Sequence, residues 1–354
     1  MEYQKLVLTS KTKTTWLKIL NPWILGSLLL ALSACEPDSP PIQPTIGVTH
    51  KTLILCEGNF MWGNAQLDII DMDSLSFQSN VFERINNKPL GDVLQSALIW
   101  DDFVYLVVNN SGKVIKLNSK TLKLINSQAG LGSPRYLLPV GNRLWLTDLY
   151  SSKISILDSG TLQKLAEIPA SGWTETMVQW NSLVAVASYR KGVYLFNTDG
   201  TAAAQPILRG DSTSKFLTVD SYNRLWVAST GGAGFSSLKR FDSPYSVNPT
   251  VSIVPPAAIS QVISNKKGDT LYLAVGNTIW SLPVSATRME DAILLADGFK
   301  QLYGLNLSKD GKYLLIADAN DYVSNGKVFV FDLQSKTTLK TFETGVNPNG
   351  FLSY

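Results

Sequence analysis

At 354 residues and 45% hydrophobic composition, the chain is long enough for two ordinary domains or one large repeat array. Lys and Arg outnumber Asp and Glu by 31 to 28, but the first 34 residues hold four of the basic and one of the acidic residues. The remainder is therefore neutral, and the pI of about 8.6 does not indicate a nucleic-acid partner. A single histidine, His50, and two cysteines argue against a Ser-His-Asp triad, an imidazole-rich metal site and a thiolate metal cluster.

The beginning of the chain has the pattern of a secretory signal. Four lysines precede the apolar run Trp23–Ala34, which is too short for a membrane-spanning helix and ends in small residues. The run Leu32-Ser33-Ala34-Cys35 resembles the bacterial lipobox, in which the cysteine is lipidated and becomes the first residue of the mature protein. We therefore predict a lipoprotein signal peptide over residues 1–34 and lipidation at Cys35. The alternative is an ordinary signal with an incidental cysteine.

A proline-rich stretch follows the predicted signal. Four prolines lie between residues 36 and 45, a composition that favours an extended, solvated spacer. We predict a lipidated tether over residues 35–47 and one domain over residues 48–354. If Cys35 carries lipid, no intrachain disulfide can form, and Cys56 is then predicted to be a buried thiol in a strand.

The rest of the chain repeats one unit, which is clearest in Ser133–Leu162. Its apolar runs are separated by Gly141-Asn142 and Ser151-Ser152, and a closing Asp158 can turn the chain by bonding its own backbone. This pattern predicts an antiparallel meander of four strands. Its second strand recurs at intervals of about 40 to 50 residues, the period of a propeller blade. The copies are Leu53–Glu57, Phe103–Val108, Arg143–Thr147, Leu183–Ala187, Arg224–Ala228, Thr270–Ala274 and Tyr313–Ala317.

The two ends of the domain predict how the ring closes. Thr52–Gly58 is a second strand without a clear first strand before it, whereas Gly345–Tyr354 resembles the start of a first strand with no second strand after it. The C-terminal segment should therefore supply the innermost strand of the N-terminal blade, which removes two open sheet edges. We predict an all-β fold, a seven-bladed β-propeller of four-stranded antiparallel blades.

These repeats resemble YVTN-type propeller repeats, in which an aromatic-aliphatic strand is followed by a turn and a Val/Ile-rich strand ending in Asp. Several stretches are similar to seven-bladed surface lipoproteins of Bacteroidetes-type bacteria, which are typically associated with TonB-dependent outer-membrane transporters. One branch of that group captures corrinoids such as cobalamin. The stretches are Glu57-Gly58-Asn59-Phe60, Leu90-Gly91-Asp92, Val108-Asn109-Asn110-Ser111, Pro134-Arg135-Tyr136, Thr147-Asp148-Leu149-Tyr150, Trp173-Thr174-Glu175 and Tyr322-Val323-Ser324-Asn325-Gly326. The resemblance implies a protein that is lipid-anchored in the outer membrane and exposed on the cell surface. It also implies that the protein binds a nutrient for such a transporter, with a corrinoid as the specific candidate.

Loops on one face of the ring are the best candidates for a binding site. In a four-stranded blade, the loop before the first strand and the loop between the second and third strands lie on the same face. That face collects aromatic rings together with Asn, Arg and acidic side chains, which suit a large, partly planar ligand or a glycan. The predicted ligand-binding residues are Asn59, Phe60, Met61, Trp62, Asn110, Arg135, Tyr150, Trp173, Glu175, Tyr189, Arg190, Tyr303, Asp321 and Tyr322.

Structural roles compete with binding for some of these residues. Trp173 and Glu175 could pack and cap a blade junction, and Arg135 could bond the carbonyls of a neighbouring blade. Phe60, Met61 and Trp62 lie in a long, glycine-bounded loop where burial is hard to arrange, which favours a binding role. By contrast, Trp145, Trp226, Trp280 and Tyr105 lie within strands and are predicted to belong to the core between blades.

Two further functions are compatible with the sequence. Propeller hydrolases and lyases hold a central ion with carboxylates, so a metal-dependent enzyme is one alternative. Two sequence motifs resemble known ion and phosphate sites in part, and neither supports this alternative. Asp318, Asn320 and Asp321 lack the Gly and Glu of a calcium loop. Gly231-Gly232-Ala233-Gly234 lacks the Lys-Ser/Thr ending of a phosphate loop. The other alternative is a protein-interaction scaffold in the cell envelope. No catalytic residue, metal ligand or cofactor is predicted.

The lipobox-like run generates the first testable prediction. A Cys35→Ala protein should lose membrane association, because the lipid is the predicted anchor, while its domain still folds. Cell fractionation with immunodetection measures the first property, and thermal unfolding of the soluble fraction measures the second. Recovery of the variant in the membrane fraction at the level of the parent protein would contradict the prediction.

Overall fold

The computed structural model describes residues 50–231 and 236–354, and the predicted signal peptide, the tether and Cys35 lie outside these residues. The described residues form seven sheets of four antiparallel strands each, numbered β1 to β28 in chain order. This confirms the predicted seven-bladed β-propeller. Successive innermost strands are neighbours, and β28 lies between β24 and β4, so the ring is closed.

Each blade contributes one strand to each of four layers, from the central channel outwards. The innermost strands are β4 (Leu94–Trp100), β8 (Pro134–Val140), β12 (Thr174–Trp180), β16 (Ser214–Val219), β20 (Ile259–Ser264), β24 (Leu302–Leu307) and β28 (Pro348–Ser353). The second strands are β1 (Lys51–Cys56), β5 (Phe103–Val108), β9 (Arg143–Asp148), β13 (Leu183–Ser188), β17 (Leu225–Thr230), β21 (Thr270–Val275) and β25 (Tyr313–Asp318).

The remaining strands complete the blades on their outer side. The third strands are β2 (Gln66–Asp71), β6 (Lys113–Asn118), β10 (Lys153–Asp158), β14 (Gly192–Asn197), β18 (Ser236–Phe241), β22 (Thr278–Pro283) and β26 (Asn325–Asp332). The outer strands are β3 (Ser76–Gln78), β7 (Leu124–Gln128), β11 (Lys164–Pro169), β15 (Ala202–Leu208), β19 (Val251–Ile253), β23 (Ile293–Ala296) and β27 (Thr337–Val346). We call the face on which the innermost strands begin the front face, and the other the back face.

Ring closure occurs as the sequence predicts. Strand β28 pairs antiparallel with β1, with Leu53 opposite Leu352 and Ile54 opposite Phe351. Lys51 and Tyr354 exchange two backbone hydrogen bonds of 3.1 and 2.9 Å. One blade is thus built from both ends of the domain, and β1 is paired on both sides, with β28 and with β2.

Side-chain-capped turns join third strands to outer strands on the back face. The Oδ1 atom of Asn118 accepts the backbone N–H of Thr121 at 3.0 Å, and Oδ1 of Asp158 accepts that of Thr161 at 2.7 Å. The same bond forms at Asp71 and Asp332, which confirms the predicted repeating turn. These bonds give partners to backbone N–H groups that leave the sheet where the strand ends.

The hydrophobic core lies between the blades. Tyr105, Trp145 and Trp226 are fully buried there, and Trp280 is partly buried, as the sequence predicts. Trp180 is equally buried and donates its indole N–H to the carbonyl of Asn223 in the next blade at 2.9 Å. Cys56 is a buried free thiol, and burial raises its pKa well above the usual range.

Two short helices interrupt the strands in the described part of the chain, and the sequence analysis predicted neither. Helix α1 (Val81–Asn86) connects β3 to β4 and buries Val81 and Phe82 against the first two blades. The single 3-10 turn Met289–Asp291 precedes β23. Within residues 50–231 and 236–354, no helix has the length and apolar character needed to cross a membrane.

The closure contact generates the second prediction. Deleting Asn347–Tyr354 removes β28, which opens the inner edge of β1 and takes away the strand between β4 and β24. The whole ring should therefore lose stability rather than one blade fraying. We expect the Tm to fall by more than about 5 °C, since a ΔΔG of 1 kcal/mol already shifts the Tm by about 2–4 °C in proteins approaching this size. Thermal unfolding and hydrogen exchange measure the effect. A Tm within about 2 °C of the parent, with faster exchange confined to residues 51–78, would refute the closure argument.

Candidate functional site

A cavity of about 470 Å³ opens at the front end of the central channel. All seven innermost strands contribute residues to its wall, and Glu57 contributes from the loop after β1. Its polar lining includes Glu57, Gln95, Arg135, Lys215, Ser260, Gln261, Tyr303 and Asn349. The cavity therefore lies on the face that the sequence analysis selected, although the analysis named only two of these residues.

One backbone irregularity explains why polar side chains collect at this cavity. In every blade, the register between the innermost and second strands shifts at the second residue of the innermost strand, which has no paired position. This irregularity is a β-bulge. A bulge leaves its extra residue unpaired and re-aims its side chain. The second residues form a set that we call the polar ring: Gln95, Arg135, Glu175, Lys215, Ser260, Tyr303 and Asn349.

Arg135 and Glu175 form an ion pair between two adjacent blades. Nη2 of Arg135 lies 2.9 Å from Oε2 of Glu175, and Nε donates to the same oxygen at 3.0 Å. The two side chains are only 12% and 4% exposed. Arg135 also donates to Oε1 of Gln95 in the preceding blade, so it ties three innermost strands together. Arg135 thus bonds the side chains of neighbouring blades rather than their carbonyls.

Glu57 is the second acidic group at the cavity. The hydroxyl of Tyr303 donates to its Oε2 at 2.9 Å, and the amide of Asn349 donates to its Oε1 at 2.7 Å. Burial raises the pKa of the Glu57 carboxyl, and these two donors oppose that effect. Glu57 was part of the sequence resemblance but was not named as a site residue, because its partners come from segments more than 240 positions away.

Lys215 is a half-buried cation of the polar ring that the sequence analysis missed. Burial lowers the pKa of its ammonium group. No salt bridge or hydrogen bond of this ammonium is found among the described residues, and its nearest aromatic contact is the ring of Phe216, 5.1 Å from Nζ. Aligning the blades on their innermost strands would have revealed it, since it holds the position that Arg135 holds two blades earlier.

The predicted loop from Asn59 to Asn64 begins directly after Glu57 on the front face. Phe60, Met61 and Trp62 are 65%, 77% and 75% exposed. The loop backbone is nevertheless held, because Asn59 and Asn64 exchange two hydrogen bonds of 2.8 and 3.0 Å. The N–H of Met61 also donates to Asp92 at 2.9 Å. A held backbone thus presents large apolar side chains to solvent.

A second aromatic group lies on the same face. The ring of Trp173 stacks on Tyr189 with centroids 5.1 Å apart, and meets Tyr150 edge-on at 6.1 Å. The guanidinium of Arg190 lies 4.8 Å from the Trp173 ring. Three loops of two adjacent blades therefore bring four of the predicted residues into one cluster on the front face.

The other predicted residues have partners within the protein. Asn110 donates to the carboxylate of Asp92. Asp321 accepts the N–H groups of Val323 and Ser324 at 3.0 and 2.7 Å, and these bonds lower its pKa to about 2. Tyr322 meets Tyr303 edge-on at 5.4 Å and thereby connects its loop to the polar ring.

The donor set does not fit the carboxylate-held ion of the enzyme alternative. No group of three or more His, Cys, Asp or Glu side chains in residues 50–231 and 236–354 is placed to hold a metal. Glu175 pairs with Arg135, which lines the cavity, and Lys215 adds a second positive charge to the cavity wall. Asp318 also uses its carboxylate for the backbone N–H groups of Lys300 and Gln301, at 2.8 and 2.9 Å.

Comparison with known proteins supports the fold and places the chain in a family. Residues 50–304 match the family described as "Domain of unknown function (DUF5074)". No curated protein sequence matches the chain.

Several solved structures share the fold at low sequence identity. A Bacteroides fragilis protein described provisionally as a 6-phosphogluconolactonase is 14% identical, with a TM-score of 0.65 over 89% of this chain and 100% of its own. The periplasmic gluconolactonase PpgL of Pseudomonas aeruginosa is 13% identical, with a TM-score of 0.67 over 86% and 98%. Apo AztD from Citrobacter koseri is 11% identical, with a TM-score of 0.56 over 87% and 98%. At these identities the likeness shows the fold alone.

The ion pair between blades generates the third prediction. Arg135→Met should lower the free energy of unfolding by about 3 kcal/mol, because it leaves the buried Glu175 carboxylate without its main partner. Lys153→Met is the matched control, since it removes an exposed contact to Glu167 and should cost less than about 1 kcal/mol. Chemical denaturation measures both variants. Equal costs would show that the pair between Arg135 and Glu175 has no special structural role.

Proposed function

The chain belongs to the DUF5074 family, and we propose that it is a ligand-binding propeller that captures a small molecule on its front face for a nutrient-uptake system. The observation that carries this proposal is the exposed aromatic loop beside an open polar cavity. A soluble surface rarely displays Phe, Met and Trp in succession unless they meet a partner. Here Phe60, Met61 and Trp62 are exposed on the front-face loop that begins at Glu57, and Glu57 lines the cavity.

The two parts of this face would divide the work of binding. Aromatic rings offer flat apolar contact area, and the polar ring offers hydrogen-bond donors and acceptors that orient the ligand. The backbone hydrogen bonds of the loop support the proposal, because a surface that is held in place before binding loses less conformational freedom on binding.

The specific ligand that we propose is a corrinoid, and the partner is a TonB-dependent transporter in the outer membrane. The support is the resemblance to surface lipoproteins of that kind, together with the lipobox-like run before the propeller. A corrinoid is larger than a cavity of about 470 Å³, so it would cover the channel mouth and contact the aromatic rim. A lipid at Cys35 would hold the propeller at the membrane beside the transporter.

A second candidate function is lactone hydrolysis in the same cavity without an ion. The observation that favours it is the opposite direction of two pKa shifts: raised for Glu57 and lowered for Lys215. Enzymes shift the pKa of acid and base groups in these directions by burial. Two of the structures with this fold are named as lactonases, which makes 6-phosphogluconolactone and gluconolactone the substrates to assay. Turnover that Lys215→Met abolishes would favour this function over binding alone.

The fourth prediction tests the aromatic loop. Trp62→Ala should weaken binding of the ligand by roughly tenfold or more, because a buried aromatic anchor commonly contributes about 2 kcal/mol to binding. Isothermal titration calorimetry on the full chain, with cyanocobalamin, haem and an oligosaccharide set as probes, identifies the ligand and measures the change.

Lys120→Ala and Lys164→Ala are the controls, since both positions lie on the back face at the turns into outer strands. They should leave the affinity unchanged. Equal losses at Trp62 and at the two lysines would indicate a stability effect and would count against the proposed face. Failure of the parent protein to bind any probe would contradict the ligand-binding proposal and favour the interaction-scaffold alternative.

A further inference from the structure

The charged groups at the channel mouth are not equally satisfied. Arg135 and Glu175 neutralise one another, and the Glu57 carboxylate accepts hydrogen bonds from Tyr303 and Asn349. Lys215 is the exception: its side chain lines the cavity, yet its ammonium has no carboxylate or carbonyl partner among residues 50–231 and 236–354. Glu175 and Glu57 attract this ammonium through space, but neither carboxylate contacts it. A half-buried cation with no hydrogen-bond partner costs stability, and in an open cavity it is a candidate for contact with a ligand.

A second unused donor lies on the adjacent innermost strand. Gln261 accepts the backbone N–H of Leu305 with its Oε1 at 2.9 Å, and its side-chain NH₂ group has no protein partner in the described part of the chain. Lys215 is on β16 and Gln261 on β20, so two neighbouring blades bring an ammonium and an amide donor to one cavity. Oxyanions accept from donors of these two kinds at the same time.

The distribution of the other charges leaves this side of the cavity open to an anion. The Glu175 carboxylate on the neighbouring β12 is neutralised by Arg135. Glu57 lies beside β28, three blades from β16, and attracts the Lys215 ammonium across the cavity without a hydrogen bond between them. Asn349, next to Glu57, donates its NH₂ group three times, whereas its buried Oδ1 has no partner. The side of the cavity near Asn349 and Glu57 is therefore suited to ligand groups that donate hydrogen bonds.

We infer that Lys215, with Gln261, is an oxyanion-binding site of the channel mouth, and that the captured molecule carries a carboxylate or phosphate group together with a hydroxyl or amide N–H. This inference rests on the proposed ligand-binding function and specifies the chemistry of its ligand. Lys215 would hold the anionic group, and Arg135 would remain in its ion pair. The aromatic loop would cover the apolar part of the molecule.

Calorimetry on the full chain with simple probes tests the site. The probes are sodium citrate for carboxylates, inorganic phosphate for phosphates and glucose as a neutral polyol, all at one ionic strength set with sodium chloride. We expect saturable binding of at least one oxyanion, with the stronger probe identifying the source of the anionic group. Lys215→Met should weaken that binding roughly tenfold or more, because a charge-assisted hydrogen bond is lost.

Two further variants separate binding from folding. Lys215→Arg keeps the charge and should retain most of the affinity, whereas Lys309→Met removes an exposed lysine on the back face and should change nothing. Lys215→Met should also unfold at a Tm no lower than that of the parent, since it removes an unpaired cation. Unchanged oxyanion affinity in Lys215→Met, equal losses in Lys309→Met, or no saturable binding by the parent would each overturn the inference.

These results can be told apart from a failure of the proposed function. If binding of cyanocobalamin, haem or an oligosaccharide depends on Trp62 but not on Lys215, the binding function stands and the oxyanion site is wrong. If oxyanions depend on Lys215 while no larger ligand depends on Trp62, the oxyanion site stands and the nutrient-capture proposal is wrong.

Discussion

The pairing of β28 with β1 is the contact on which the rest of the molecule depends. A propeller blade buries both faces of its sheet only if a blade lies on either side, so every blade needs a closed ring. Closure here joins segments about 300 residues apart, with Thr52 opposite Ser353. The same contact assembles half of the candidate site, because it brings Glu57 from the end of the N-terminal blade's second strand next to Asn349 on its innermost strand.

The polar ring shows how one fold can carry different chemistry. The same bulge occurs seven times, and each time it directs the second residue of an innermost strand to the channel mouth. The backbone imposes the position but not the residue type, because the bulged residue is free of the pairing that selects strand formers. The ring can therefore hold an arginine, a glutamate, a lysine, a tyrosine and amides without disturbing the sheets.

The satisfied and unsatisfied members of this ring have different roles. Arg135 and Glu175 are buried together and tie adjacent blades, so they are structural even though Arg135 lines the cavity. Lys215 has the same strand position, but its ammonium has no hydrogen-bond partner among the described residues and is available to a ligand. Solved propellers that align over most of this chain at 11% to 14% identity have different names, which fits a fold whose function depends on such positions.

The sequence by itself determined the architecture, because a blade is a local pattern repeated at a fixed interval. Strand runs, the turns capped by Asn118 and Asp158, the buried Trp145 and Trp226 and the closing strand all depend on contacts between nearby residues or on the count of repeats. The same reasoning selected the face on which the cavity opens and predicted that the Phe60–Trp62 loop on it would be exposed. It could not find the short helix α1, which forms because Val81 and Phe82 pack against blades that the local pattern does not show.

Only the tertiary structure decided which polar residues share the cavity and which of them have partners. Glu57 and Tyr303 lie 246 positions apart in the chain, and Arg135 and Glu175 lie 40 apart, so their contacts follow from ring geometry and bulge position. Residue type could not distinguish Arg135 from Lys215, since both are cations at the second position of an innermost strand. The difference between a structural cation and an available one arises from what the neighbouring blades place beside it, and only the folded ring determines that.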